Sequence, residues 1–331
     1  MINPEMHLND VSDPEIKQSP SRAGFGDGLV EAGAKDPNIV ALSADLMVST
    51  KMDEFAKAYP NRYIEVGVAE QNLVTVAAGM ALAGKVPFIS SYAAFSPGRN
   101  WEQIRTTVCL NETNVKIVGS HAGLSVGPDG ATHQMLEDIA LMRVLPNMTV
   151  VVPADAEEAR KATLTLAATK GGAYIRLARE KSPVITTEKT PFTLGKANIM
   201  RSGQDLTIVA CGSMVYQSLV AADKLAKDGI DVEVINAAVI KPLDAHTIVA
   251  SARRTGAVLT AEEGQIAGGL GSAVAEVLAD HYPVPMTRIG INDRFGESGE
   301  ANQLLEAFGL TAPHIITRAK ELLKRKEVTH D

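Results

Sequence analysis

Short runs of β-branched and other apolar residues recur along this chain, and each is followed by a stretch with helical spacing. "NIVALS" (38–43) precedes a helix near 50–58, "RYIEVG" (62–67) one over 69–84, and "VPFISS" (86–91) one over 97–111. "VKIVGS" (115–120) leads through a long glycine-rich loop into a helix over 133–144; "MTVVVP" (148–153) leads into 155–169, and "AYIRL" (173–177) closes the series. Strand alternating with helix predicts a parallel sheet covered on both faces.

Residues 180–195, "EKSPVITTEKTPFTLG", break this rhythm with two prolines and mixed polar residues, and read as a linker. The alternation then restarts with "LTIVAC" (206–211), helix 213–228, "DVEVIN" (231–236), helix 243–254, "AVLTAE" (257–262), helix 268–281 and "MTRIGI" (286–291). The predicted fold class is α/β with two doubly wound domains, the sheet parallel in the first and mostly parallel in the second. The expected organisation is an N-terminal extension (1–20), a first domain (21–182), a linker (183–195) and a second domain (196–331). A length of 331 residues suits two domains.

Composition changes this picture little. With 45% hydrophobic and 21% charged residues, the chain can bury an ordinary globular core. The net charge is −7 and basic residues are scattered, which argues against a nucleic-acid surface. Cys109 and Cys211 each stand alone in an apolar run and read as buried, inert thiols rather than a disulfide or metal site. The start "MINPEMHLNDVSDPE" lacks a signal-peptide core, and no apolar run reaches about 18 residues. No membrane span is expected, and the cytoplasm is the expected compartment.

Ligands of open parallel sheets sit beyond the carboxyl ends of the strands. There the first domain places Ser43, Asp45, Glu70, Tyr92, His121, Arg176 and Arg179, whereas the corresponding second-domain loops, "AEEGQIAGGLGS" and "INDRFGES", carry less. Position leaves two accounts of Glu70 open. It is an acid stabilising a helix N-terminus, worth about 0.3–1 kcal/mol, or a carboxyl group in an apolar pocket formed with Val66, Val68 and Ala69, its pKa raised so that it shares a proton with a ligand nitrogen. The loop "SHAGLSVGPDGATHQMLED" (120–138) concentrates His121, Asp129 and His133 among glycines, which let backbone approach a ligand closely. The alternative is a turn in which Thr132 caps the following helix. His133 and Glu137 have i, i+4 spacing, too few groups for a metal site. Tyr92 and Phe95 could stack on a flat ring or pack in the core. Arg22, Arg176 and Arg179 are candidate anion clamps. "GGLGSAV" (268–274) lacks the last glycine of a dinucleotide fingerprint and reads as a tight loop before a helix.

Taken together, "LSADLMVS", "EVGVAEQN", "YAAFSPGRNWEQIR", "HAGLSVGPDGATHQ" and "IRLARE" stand in an order and spacing that resembles the C-terminal part of transketolase, over nearly the whole chain. The resemblance implies a thiamin-diphosphate pyrimidine-binding domain followed by a transketolase C-terminal-like domain. It implies that Glu70 hydrogen-bonds the aminopyrimidine nitrogen opposite the exocyclic amine, favouring the tautomer that takes the proton from thiazolium C2. The cofactor then holds a two-carbon ketol unit in transit from a ketose phosphate to an aldose phosphate. By the same resemblance Tyr92 and Phe95 surround the pyrimidine, Asp45 lies close to the cofactor, and Asp129 and His133 bind sugar hydroxyls and the intermediate, His133 with a catalytic part. Arg22, Ser49, His121 and Arg179 match a cluster that holds the sugar phosphate. Gly98 departs from the pattern, standing where many members have a third aromatic.

Full-length members carry a preceding domain that grips the diphosphate through a metal, with a "GDG" motif followed at a distance by an asparagine pair. Here "GDG" (26–28) lies in an early helix and no Asn-Asn occurs, so the match is rejected. The chain starts about twenty residues before Arg22. The resemblance therefore implies a separate N-terminal, diphosphate-binding subunit holding Mg2+ or Ca2+, and an α2β2 assembly built on self-association of this chain. The rival readings are the β subunit of a 2-oxoacid dehydrogenase, deoxyxylulose-phosphate synthase, and a non-catalytic regulatory subunit. The "DGATHQ" loop with His121 opposes the first, and "SHAG" in place of an Asp-Arg pair before "AG" opposes the second. The intact Glu70, Asp129 and His133 oppose the third.

Overall fold

The structure is a computed structural model that describes residues 1–328. The expected second domain's last three residues, 329–331, lie outside them. The first part of the chain carries β1 (Gln18–Ser19), α1 (Ser21–Lys35), β2 (Ile39–Ser43), α2 (Asp53–Ala58), β3 (Tyr63–Glu65), α3 (Glu70–Leu82) and β4 (Val86–Tyr92). After them come α4 (Trp101–Gln103), which runs into a π-helix over Ile104–Leu110, then β5 (Lys116–Ser120), α5 (Asp138–Arg143), β6 (Met148–Val151), α6 (Ala156–Ala168), β7 (Gly172–Arg176) and β8 (Ser182–Pro183). The second part carries β9 (Asn198–Arg201), β10 (Leu206–Ala210), α7 (Met214–Lys227), β11 (Val232–Asn236), β12 (Val239–Lys241) and α8 (Ala245–Thr255). It ends with β13 (Val258–Gln265), α9 (Leu270–His281), β14 (Met286–Ile291), α10 (Ala301–Ala307) and α11 (Ala312–Val328).

The main sheet has the order β12-β6-β7-β5-β4-β2-β3, and the second sheet β14-β13-β10-β11-β9. The inner strands β2, β5, β7, β10 and β11 are buried at every residue. That is why the sequence writes them as unbroken apolar runs. On one face of the main sheet α1, α2 and α6 enclose Phe25, Leu29, Phe55, Phe88 and Leu166. The other face, under α3 and the π-helix, merges into the second sheet's core through Val209, Ile235 and Ile248. Each such side chain, fully buried, stabilises the fold by about 1.5–3 kcal/mol. The "GDG" glycines serve packing: a Cβ at Gly28 would lie 2.8 Å from the Arg160 carbonyl of α6, and one at Gly26 2.7 Å from the Lys51 carbonyl.

Several local expectations are corrected. The helix expected over 133–144 begins only at Asp138, so Thr132 caps nothing and residues 121–137 form one long loop containing a short 3-10 stretch, Leu124–Asp129. The helix expected over 97–111 begins at Trp101, and there the Thr106 and Thr107 hydroxyls bond back to the Glu102 and Gln103 carbonyls. The linker contains β8, antiparallel to β1. β9 forms an antiparallel edge on β11. β12 leaves the second domain's rhythm altogether and adds to the main sheet, with Val239 opposite Val151. Strands of two to four residues are too short to show a period. The N-terminal residues pack too: Met6, Val11 and Ile16 join the second sheet's outer core.

Candidate active site

The carboxyl ends of β2, β3, β4, β5 and β7 deliver the candidate residues to one side of the main sheet. From β3 the chain turns through Val66–Ala69 into α3, making Glu70 the first helical residue. Ala69 offers no side-chain acceptor to the free N–H groups of the helix, so a carboxylate at the next position is favoured there. Glu70 is only 4% exposed. Both its oxygens lie 3.3 Å from Arg99 Nη1, and its backbone carbonyl accepts from Asn100 Nδ2 at 2.9 Å. The Arg99 side chain is 53% exposed and its Cζ sits 4.1 Å from the Phe95 ring centroid. The wall beside the carboxylate is therefore a guanidinium stacked on an aromatic. Val68, expected to help enclose Glu70, points outward and is 70% exposed. Arg99 and Asn100 were missed in the sequence; the requirement that a buried carboxylate find a cation is the signal that could have found them.

A row of rings leads away from this corner. Tyr92, at the end of β4, stacks on Phe95 with centroids 6.0 Å apart and on His121 at 3.9 Å. The His133 ring meets Phe95 edge-on at 5.3 Å and Tyr92 at 6.1 Å, and its Nδ1 is 2.9 Å from Thr132 Oγ1. Gly98 has no room for the missing third aromatic, since a Cβ there would lie 2.0 Å from the Ala94 carbonyl. Arg99 covers the flank of Phe95 instead.

The row ends at a cationic cluster. His121 follows β5 in a left-handed conformation (φ 56°) and is 2% exposed. Its Nδ1 is 2.9 Å from Ser120 Oγ, and its Nε2 is 3.5 Å from Arg22 Nη1. Burial, reinforced by the charges of Arg22 and Arg179, lowers its pKa to about 3. The ring is therefore neutral at ordinary pH, and the facing guanidinium assigns the acceptor role to Nε2 and the proton to Nδ1. Arg22 Nη1 donates to the Ser49 carbonyl at 2.6 Å, while its Nε is buried without a partner. Burial, then the Arg179 charge, depresses its pKa. Arg179 Nη1 donates to the Val126 carbonyl at 2.8 Å, and Asp129 Oδ2 lies 3.6 Å away. Two guanidinium groups, one held by a neutral imidazole and keeping a buried N–H to spare, offer donors that suit a tetrahedral anion.

Asp45 stands apart from this cluster. It is exposed, in a left-handed conformation (φ 62°), its N–H bound by Glu65 Oε1 at 2.7 Å. With Val48, Ser49 and Tyr63 it lines an open cleft of about 410 Å³. Ser49 reaches the cluster through its carbonyl only. Arg176 is not an anion clamp. Its Nε donates to Asp138 at 2.8 Å and its Nη2 to the Glu263 carbonyl at 2.8 Å, while Tyr174 Oη donates to Asp138 at 2.6 Å. This buried set fixes the end of the long loop. Glu137 turns back to the Leu136 N–H, and among the described residues no three His, Cys, Asp or Glu side chains are placed to hold a metal ion.

The second domain contributes more than its sequence suggested. "AEEG" is not part of a loop: β13 runs on to Gln265. Glu262 accepts from the Leu270 and Gly271 N–H groups, both at 2.8 Å, so the "GGLGSAV" helix N-terminus is already occupied by a carboxylate. Burial raises that carboxyl's pKa to about 7. The loop glycines serve the domain contact rather than a ligand: Cβ atoms at Gly123 and Gly130 would lie 2.4 Å from Glu263 Oε1 and 2.5 Å from Ser298 Oγ. Cys109 and Cys211 are free and buried, and burial lifts both thiol pKa values, that of Cys109 to about 11. None of the described helices is long and apolar enough to cross a membrane.

Comparison with known proteins gives a consistent result. The family described as "Transketolase, pyrimidine binding domain" matches residues 17–184, and "Transketolase, C-terminal domain" matches residues 195–315. A 6-deoxy-6-sulfo-D-fructose transketolase subunit of Clostridium sp. (strain MSTE9) is 44% identical over 319 residues, 96% of this chain and 99% of that protein. A putative transketolase C-terminal section of Methanocaldococcus jannaschii is 45% identical over 308 residues, covering 92% and 96% of the two chains. A solved structure titled "Split gene transketolase, inactive beta4 tetramer" superposes with a TM-score of 0.87 at 47% identity, covering 93% of this chain and 99% of that one.

Proposed function

The chain belongs to the transketolase family, and we propose that it is the small subunit of a split, thiamin-diphosphate-dependent transketolase. It would move a two-carbon ketol unit from a ketose phosphate to an aldose phosphate, as a glycolaldehydetransferase active only with a separate diphosphate-binding subunit. The observation that carries this reading is the continuous run from a buried carboxylate to an anion receptor: Glu70 and Arg99, then Phe95, Tyr92, His121 and Arg22. A substrate with a reacting carbonyl at one end and an anion at the other fits such a run.

The residues present fit the cofactor's pyrimidine ring. A flat, hydrogen-bonding cation already lies on Phe95 and against Glu70, the two contacts such a ring would use. Bound thiamin diphosphate would supply the electron sink for the ketol unit. Glu70 would hold a proton against the ring nitrogen, screened from water by its burial. Tyr92 and Phe95 would set the plane of the ring, and Asp45 would lie at the cofactor's edge. His133, beside both rings, would exchange a proton with the substrate oxygen, and Asp129 would bind its hydroxyls. Arg22 and Arg179 would fix the anionic tail, with the Ser49 carbonyl and His121 holding the Arg22 guanidinium in place. A sulfonate suits two guanidinium forks as well as a phosphate does.

Mg2+ or Ca2+ and the diphosphate would be held by the N-terminal partner subunit, and the proposed compartment is the cytoplasm. Self-association into the core of an α2β2 assembly is supported by the outward face of α3. There Thr75, Gly79 and Leu82 are exposed, nothing lies within 4 Å of a Cβ built at Gly79, and Val68, two residues before the helix, is exposed too. The test is reconstitution with the diphosphate-binding subunit, followed by ketol-transfer assays on phosphorylated and sulfonated ketoses. The complex is expected to turn over and the lone chain not to. Full activity of the lone chain, or decarboxylation of 2-oxo acids by the complex in place of ketol transfer, would contradict the proposal.

A further inference from the structure

We infer that Glu263, on β13 of the second domain, is a positioning residue for the anion receptor of the first, so that the C-terminal domain sets affinity for the substrate's charged tail. Glu263 is 5% exposed. Its Oε1 accepts the Ser125 N–H at 2.7 Å and its Oε2 accepts Ser213 Oγ at 3.1 Å. Its own backbone carbonyl is held by Arg176 Nη2 at 2.8 Å, so the carboxylate is carried on a fixed strand. Ser125 immediately precedes Val126, whose carbonyl takes Arg179 Nη1 at 2.8 Å. The Glu263 clamp and the group that aims Arg179 therefore lie on adjacent residues.

The loop is fastened mainly by burial and by the second domain: Leu124 and Val126 are fully buried, the single bridge of Ala122 to Met135 is its strand pairing among the described residues, and its glycines are shaped to the second domain. Gln134 Nε2 bonds the Leu124 carbonyl at 3.1 Å, the Gly127 carbonyl at 3.2 Å and the second domain's Glu297 carbonyl at 2.9 Å. Glu263 is the charged member of this attachment. A carboxylate accepting a backbone N–H holds it more firmly than a neutral acceptor does. Without it, Val126 and Asp129 lose their fixed place and Arg179 loses its aim, while Glu70 and the rings keep theirs. The inference rests on the proposed role of Arg179 toward a sugar phosphate.

The experiment uses the reconstituted complex with Glu263→Ala and Glu263→Gln. The glutamine can accept from Ser125 and donate to Ser213 Oγ. Glu263→Ala is expected to raise KM for the phosphorylated ketose about tenfold, the scale of one lost charge-assisted hydrogen bond. Its kcat, and its KM for an unphosphorylated ketol donor, should stay at the wild-type values. Amide exchange over residues 124–130 should quicken in Glu263→Ala, inorganic phosphate should slow it in the wild type but not in Glu263→Ala, and Glu263→Gln should largely restore both readouts. Equal losses with both donors, or unchanged loop exchange in Glu263→Ala, would overturn the inference. The exchange arm needs no turnover. A wild-type complex that transfers no ketol unit would remove the functional reading, while loop exchange and its response to phosphate would still decide the clamp.

Discussion

Replacing Arg22 with methionine should separate binding of the proposed anionic tail from the proposed chemistry of the ketol unit. Methionine keeps the apolar stem and removes the guanidinium. The buried Arg22 Nε has no partner among the described residues, so an incoming anion would gain a charge-assisted bond there. Such a bond contributes about 1.5–3 kcal/mol, or roughly a 10- to 150-fold change in affinity at about 1.4 kcal/mol per tenfold. Two features favour the lower end. Arg22 is only half-buried, and its loss relieves the repulsion with Arg179 that, after burial, depresses its own pKa. The expected result is a KM for phosphorylated ketose raised about 10- to 30-fold. Steady-state kinetics of the reconstituted complex with phosphorylated and unphosphorylated donors make the assay. Equal changes for both donors, or a collapse of kcat at constant KM, would refute the assignment of Arg22 to the tail.

His121 should make stability depend on pH. Its folded pKa of about 3 lies below the unfolded value of about 6.5. The neutral ring's contribution is therefore full above about pH 6.5 and is lost as pH falls toward 3, by up to about 1.4 kcal/mol per pH unit. Urea midpoints between pH 4.5 and 7 should show a shallower slope in His121→Asn than in the wild type; equal slopes would refute the assignment. Arg176→Met should strip Asp138 of its cation and cost about 3–5 kcal/mol, read as a lower denaturation midpoint. A loss below about 1 kcal/mol, the scale of a surface ion pair, would mean that Asp138 needs no buried partner.

The parts of the fold that were legible in the sequence are those that write a period. β2, β5 and β10 are buried on both faces and leave contiguous apolar runs, and the rule that ligands gather at strand ends then pointed to Glu70, Tyr92, His121 and Arg179. What escaped depends on contacts between distant segments. Ser125 and Glu263 are 138 positions apart, and β12 pairs with β6 across the domain boundary. Arg176 and Arg179 look alike in "IRLARE", yet a buried Asp138 makes one a structural ion pair and leaves the other at the loop. The glycines of 123–130 were read as room for a ligand because sequence cannot say which neighbour a missing Cβ makes room for. Arg99 escaped because its exposure and its partner Glu70 are both tertiary facts.

The central claim is that Glu70 acts on the cofactor's pyrimidine ring, and hydrogen–deuterium exchange at C2 of thiamin diphosphate in the reconstituted complex tests it most directly. Glu70→Ala should bind the cofactor yet slow that exchange by about 100-fold or more, the scale of a lost proton-transfer group. Exchange at the wild-type rate in Glu70→Ala, with the cofactor bound, would contradict the account.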